Sequence, residues 1–399
     1  MCSSPEIMEA TASFSSVMLG GRPHLRRWCV VCVCVCVNVC VCVCVCVCVC
    51  VCVCVHQSTI SPGLFFPTAV CILKGVALPA GSHTFNCNDC VCDDGRLTCE
   101  DDVCMVDEEV IQLVNDNQLY YGWNATNYTM FWGRKAKEGL FLKTGTLILD
   151  DKTKGMLPII LRKGYIPPEF DARNKWPGLI SDVLNQGWCG ASWAFSTVGV
   201  AQDRQMILTR EHVSLAPQQL LSCLHRPLEG CKGGHIDRAW NYMKKNGVVE
   251  ENCFPYSSGA SGEVPYCPHD PEILACKVYK MEPAYRISMK EDDIQWEILN
   301  NGPVQAVMWV RRDFFMYCSG VYRCPQMTGE PTGMHSVRIL GWGEDGPVKY
   351  WLVANSWGTD WGEDGLFKIR RGTNECGIES FVLAVRGRRD PWAKNGNGF

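Results

Sequence analysis

The chain has no surplus of positive charge. Its 38 Lys and Arg stand against 42 Asp and Glu, a net charge of −4, so no basic face for nucleic acid is expected. It does not lack apolar residues. At 47% hydrophobic it has enough for a real core, which excludes wholesale disorder, and 399 residues suggest two or three domains. Residues 1–28 lack a basic segment, an apolar segment and a small-residue cleavage site in that order. If the protein is secreted, its signal peptide is therefore missing from this gene model. Two well-separated CxxC knuckles, the pattern of a four-ligand zinc site, are absent as well. No metal, cofactor or membrane span is expected.

What the chain has in excess is cysteine, 28 residues, of which twelve lie between Cys29 and Cys54. There, across residues 29–55, the text is almost pure Cys-Val alternation, as a (GT)n tract would read in frame. The stretch is long enough to span a bilayer. Strict β-branched alternation, however, is strand-like, and a helix would turn thiols toward lipid. A metallothionein-like site would intersperse polar residues rather than valine. Residues 1–70 are thus read as a low-complexity segment, without fixed structure or a gene-model artefact.

Residues 71–104 form a small cysteine-dense unit, Cys87-x2-Cys90-x-Cys92 followed by Cys99 and Cys104. Its interior is acidic and nearly without apolar residues, so disulfides must hold it. The acidic side chains are expected to form a solvated face. The unit resembles von Willebrand factor type C-like modules. Residues 105–165 follow, with a short helix predicted over Val106 to Val114. Asn124 and Asn127 each open an N-x-[ST] sequon and are candidate glycosylation sites if the chain is secreted. The aromatic cluster from Tyr121 to Trp132 could be a mini-core or a segment docked in another domain's groove. Residues 166–388 read as helices first (192–208, 216–224, 236–246, 293–301) and strands after (304–310, 335–342, 350–354, 367–370, 381–385), an α+β pattern. The tail, 389–399, is polar.

The stretch Gln186-Gly187-Trp188-Cys189-Gly190-Ala191-Ser192-Trp193-Ala194-Phe195 resembles the signature of the papain family of cysteine peptidases. Supporting motifs follow in order: Leu215 to Cys223, Gly230-Cys231-Lys232-Gly233-Gly234, His335-Ser336-Val337, and Asn355-Ser356-Trp357-Gly358 with Trp361-Gly362. Phe170 to Arg173 and Cys376 to Ser380 point to the cathepsin B branch. The resemblance implies a papain-like two-lobe fold, a helical lobe plus a β-barrel-like lobe. It also implies a catalytic set of His335, Asn355 and the oxyanion-hole donor Gln186. Gly233, Gly234, Trp357 and Phe381 would line the peptide cleft, Phe381 as the floor of an apolar S2 pocket. It further implies disulfides Cys189–Cys231, Cys223–Cys267 and Cys253–Cys276. Cys318 and Cys324 are near enough to pair, which would leave Cys376 as a free thiol. His225, His235 and His269 are read as surface or structural residues.

One position departs from the family pattern. The register of Trp193-Ala194-Phe195 puts Ser192 where the family has its nucleophilic cysteine. The family chemistry uses a thiolate held by a helix N-terminus and an imidazolium. A hydroxyl would need His335 as general base during attack. The orienting group, Asn355, is a neutral amide, and replacing Asp by Asn in a serine triad costs roughly 10⁴ in turnover. The structural alternative for Ser192 is a helix N-cap. The domain is therefore expected to be inert, or nearly so, as a peptidase. The other reading is a working cysteine-type endopeptidase using Ser192, His335 and Asn355.

A papain domain with serine at that position and a cysteine-rich N-terminal module is similar to the tubulointerstitial nephritis antigen family. Residues 122–133, Arg238-Ala239-Trp240, Asn301 to Ala306 and Arg371 to Cys376 also match it. The resemblance implies a secreted glycoprotein of extracellular matrix and basement membrane, with laminin, collagen IV and integrins as partners. A peptide in the cleft is a further candidate partner, and residues 105–165 would correspond to a propeptide. The family's somatomedin B-like module is not recognisable here.

Overall fold

The computed structural model describes residues 41–45, 49–53, 70–160, 164–224, 230–268, 275–324 and 332–388. His225, His269, the tail from 389 and most of residues 1–70 lie outside these. Within the Cys-Val tract, Val41–Val45 and Val49–Val53 pair as an antiparallel hairpin. The sequence reading there is a segment without fixed structure or a gene-model artefact, with the alternation itself strand-like. β-branched alternation has the strand period, and its propensity prevails locally.

Residues 71–104 are built from two small antiparallel sheets pinned by Cys71–Cys92, Cys87–Cys104 and Cys90–Cys99. Its acidic face is not wholly solvated. Lys135 reaches both Glu100 (3.0 Å) and Asp102 (2.5 Å), and Lys137 reaches Asp102 (2.9 Å), so charge complementarity seats the module on the next segment.

The main domain has two lobes, each with its own core. The first surrounds the helix Ser192–Thr209, whose residues through Met206 are all buried. Its apolar residues fill the core, and its buried Asp203 and Arg204 are tolerated there because each is paired. It stops where Arg210 takes a left-handed conformation (φ +63°) and its N–H closes on Met206 O. The second lobe is a sheet with strand order Tyr285–Ile287, Val382–Ala384, Val304–Val310, Gly333–Asp345, Val348–Ala354, Leu366–Arg370, Tyr317–Tyr322 and Trp123–Ala125. Phe170–Asp171 pairs with Gly333–Asp345 off that path. Two buried ion pairs join the lobes. Arg338 meets Asp203 (2.6 Å) and Arg204 meets Glu297 (2.8 Å). Removing one partner of such a pair costs about 3–5 kcal/mol, so the lobes are held in a defined relation.

Residues 105–160 pack onto this domain instead of forming a mini-core. Asp107 caps the helix Glu108–Asp116 and pairs with Arg312 (3.0 Å). The strand Trp123–Ala125 adds to the sheet edge along Tyr317–Tyr322. Phe131 is fully buried against Phe315 and Trp357 (ring centroids 5.5 and 6.0 Å).

In the main domain Cys189 pairs with Cys231, Cys223 with Cys267, and Cys253 with Cys276. The fourth bridge corrects the sequence reading. Cys324 pairs with Cys376, so Cys376 is not a free thiol, and Cys318 is disulfide-bonded but not to Cys324. Cys376 sits in a left-handed turn (φ 48°) after Asn374 (φ 52°). That reversal brings it beside residue 324, 52 residues earlier, and local spacing carries no trace of it.

Candidate functional site

The site lies where the N-terminus of Ser192–Thr209 faces the strand Gly333–Asp345. Ser192 is the first helical residue and is fully buried. It is not the N-cap, a place Ala191 takes without a side-chain bond. Across from it, His335 is also fully buried, with Trp357 tilted against its ring (5.3 Å). Asn355 Oδ1 accepts from Ser356 N (2.8 Å), which fixes the amide's orientation. The oxygen therefore faces His335 Nε2 at 2.8 Å and makes that nitrogen the donor. His335 Nδ1 and Asn355 Nδ2 are buried without partners. Burial pushes the imidazole down to about 4, and the Asn355 bond only partly opposes this. At neutral pH the ring is uncharged.

Gln186 is held by Ser356 Oγ, which donates to its Oε1 (2.6 Å), and by its own N–H on Ser356 O (2.8 Å). Its Nε2 donates to Cys189 O (2.8 Å) and Thr144 O (3.3 Å). Ser192 N–H donates to the same Thr144 carbonyl at 3.2 Å. Gln186 Nε2 is the donor expected in an oxyanion hole; with Ser192 N–H it forms a two-donor pocket that a carbonyl of the chain itself occupies.

Thr144 belongs to a strand-like run, Lys143 to Leu149, laid along the cleft. Gly234 N donates to Gly145 O (2.9 Å), Leu147 N to Gly234 O (2.9 Å), and Thr146 N to Met334 O (3.0 Å). Trp357 Nε1 donates to Lys143 O (2.6 Å). Gly234 thus receives a backbone, and it comes from residues 145–147. At Gly145 (φ +103°) an added Cβ would stand 2.0 Å from Gly190 O, so only glycine passes this point. Thr146 Oγ1 lies 3.0 Å from Ser192 Oγ and 2.8 Å from Ser336 Oγ, and Ser336 N–H points at Ser192 Oγ (3.4 Å). Ser196 Oγ continues this chain, donating to Ser336 Oγ (2.9 Å). The Ser192 hydroxyl is hydrogen-bonded to Thr146 and Ser336, not to His335.

Phe381 is buried in the helical-lobe core, which also holds Leu149, and the Arg286 guanidinium lies 5.1 Å over its ring. Arg286 also donates to Lys154 O (2.7 Å) and Ser380 O (3.0 Å), tying residues 150–156 beside the expected S2 pocket. His235 sits at the N-cap position of the helix Ile236–Lys245, away from this chemistry. Sequence reasoning missed Lys143, Thr144, Gly145, Thr146 and Ser336. The one available signal was the run of small residues Thr144-Gly145-Thr146, which permits close backbone approach. Among the described residues no cluster of His, Cys, Asp or Glu could hold a metal ion.

A long buried helix facing a mostly antiparallel sheet, with a Gln, His and Asn converging at its N-terminus, defines a papain-like peptidase domain. The description "Papain family cysteine protease" matches residues 166–386. Within that class the chain belongs to the tubulointerstitial nephritis antigen family. It is 40% identical to tubulointerstitial nephritis antigen-like of Mus musculus, covering 82% of this chain and 78% of that protein. It is 37% identical to tubulointerstitial nephritis antigen of Homo sapiens, covering 76% and 70%. Among solved structures, procathepsin B S9 of Trypanosoma congolense aligns with a TM-score of 0.64 at 31% identity, over 71% of this chain and 99% of that one.

Proposed function

We propose that this chain is a secreted matrix and basement-membrane glycoprotein whose papain-like domain is catalytically silent and serves in matrix binding and cell adhesion. One observation carries the silent reading. The Thr144 carbonyl fills the pocket between Ser192 N and Gln186 Nε2, while Ser192 Oγ bonds to Thr146. The residue at the nucleophile position is a hydroxyl without an imidazole partner, and no thiolate–imidazolium pair can form. Residues 105–165 then stay in place as part of the mature protein. The disulfide framework suits an oxidising compartment, and no described helix is long and apolar enough to cross a membrane. Laminin, collagen IV and integrins are the partners proposed, on the strength of the family. Binding of the secreted chain to immobilised laminin and collagen IV is expected to survive Ser192→Ala unchanged. Loss of binding in that variant would refute a binding surface separate from the cleft.

The second reading, a working endopeptidase, is favoured by the His335–Asn355 bond and by Gln186 in place. It requires residues 143–149 to leave the cleft and His335 to turn Nδ1 to the Ser192 hydroxyl. A flat progress curve with apolar dipeptidyl substrates would sink it.

A further inference from the structure

On the side of the β lobe where residues 105–125 dock, a cavity of about 830 Å³ opens between Tyr120, Tyr121, Arg311, Arg323, Arg370 and Glu375. That volume is within the range of small-molecule sites. Two of its arginines are neighbours by topology. Tyr317–Tyr322 and Leu366–Arg370 run parallel, with Val321 opposite Lys368 and Tyr322 opposite Ile369. One residue further, Arg323 stands beside Arg370. Tyr322 and Ile369 point into the core, so the alternation of a strand turns the next pair outward together, and both line the cavity.

Like charges side by side on neighbouring strands are destabilising unless something neutralises them. Neither of these two arginines forms an ion pair among the described residues. Arg323 gives one bond, to Tyr120 O (3.0 Å), and Arg370 gives none. Two carboxylates also line the cavity, and both are engaged. Asp313 accepts from Tyr322 Oη (3.0 Å). Glu375 accepts from Cys324 N (2.8 Å) and Thr373 Oγ1 (3.0 Å). Two forked guanidiniums are the natural receptor for a tetrahedral oxyanion. At the rim, Tyr120 is 72% exposed and stands edge-on to Tyr121 (5.1 Å), an aromatic face against which a sugar ring can lie.

We propose that this cavity binds a sulfate or phosphate ester carried on a sugar, with Arg323 and Arg370 holding the oxyanion and Tyr120 the ring. The site rests on the reading that residues 105–165 stay attached, because Tyr120 and Tyr121 come from them.

The full secreted chain should be titrated calorimetrically with a heparin-derived tetrasaccharide, its unsulfated counterpart and mannose 6-phosphate. Its intact mass should be recorded first. We expect saturable binding of a charged probe, the two arms telling sulfate from phosphate, and no heat from the unsulfated sugar. Arg323→Gln and Arg370→Gln should each weaken binding roughly tenfold or more. Arg96→Gln, an exposed arginine of the N-terminal module, should leave it unchanged. Equal loss with Arg96→Gln, equal binding of the unsulfated sugar or of a hexaglutamate peptide, or no binding by a chain of full mass would each overturn the site. A mass short of residues 105–165 would refute their retention, and the site as drawn would fall with it.

Discussion

Lys143 offers a quantitative test of how tightly the cleft is closed. It is 3% exposed, and its ammonium lies over the rings of Trp188 (4.5 Å) and Phe131 (5.5 Å). No carboxylate pairs with it among the described residues. Burial, with the nearby Arg134 charge adding to it, pushes the amine from 10.5 down to about 8. A shift of that size weighs against the charged, closed state by about 3 kcal/mol at neutral pH. The two ring faces return about 1–2 kcal/mol. Lys143→Met keeps the stem and drops the charge, so stability at neutral pH should rise by about 1–2 kcal/mol. The folded chain releases this proton near 8 and the unfolded chain only near 10.5. Between those values the unfolded state binds more protons, so wild-type stability climbs with pH. The variant lacks that climb, and its advantage should shrink between about pH 8 and about pH 10.5. Urea unfolding of the disulfide-intact chain, followed by tryptophan fluorescence, measures both. A variant less stable than the wild type by about 1 kcal/mol at neutral pH, or a gap that ignores pH, would refute the buried ammonium.

Other consequences are equally direct. Gly145→Ala forces a Cβ into Gly190 O at a left-handed φ and should expel residues 143–149; limited proteolysis there should accelerate at least about tenfold, and an unchanged rate would refute the close approach. His335 should stay neutral on acidification until about pH 4. Because its folded value lies below the unfolded one, up to about 3 kcal/mol of stability should be lost as pH falls from about 6.5 through about 4, and an imidazole NMR signal titrating near the ordinary histidine value would contradict the burial. Asn127→Gln should remove a glycan by mass and Asn124→Gln should not, because Asn127 is exposed while Asn124 lies in a strand pair and donates to Ser319 Oγ (3.0 Å). A glycan on Asn124 would mean that the strand forms after glycosylation or not at all.

Much of the domain was legible from residue patterns. The strand Val304–Val310 was readable as a short, mostly apolar run, and the helix Ser192–Thr209 by its length and its freedom from Pro. The Gln186, His335 and Asn355 cluster was legible through the motifs around each residue. What was hidden depends on chain reversals and on contacts distant in sequence. Cys324 meets Cys376 only because Asn374 and Cys376 adopt left-handed turns. Arg323 meets Arg370 only because two strands pair in parallel, a choice neither strand encodes locally. Thr144 reaches the pocket beside Ser192 because Phe131 and Trp123 anchor the chain upstream, and the spacing from that anchor to the cleft had no readable signature.

The central claim is that the cleft does not cut peptides. The most direct test is hydrolysis of apolar fluorogenic dipeptides by the wild type, Ser192→Cys and Ser192→Ala, after controlled removal of the segment that lies in the cleft. The account predicts turnover from Ser192→Cys alone, since Gln186, His335 and Asn355 are already assembled. Turnover by the wild type that disappears in Ser192→Ala would contradict it and make this a serine-nucleophile peptidase.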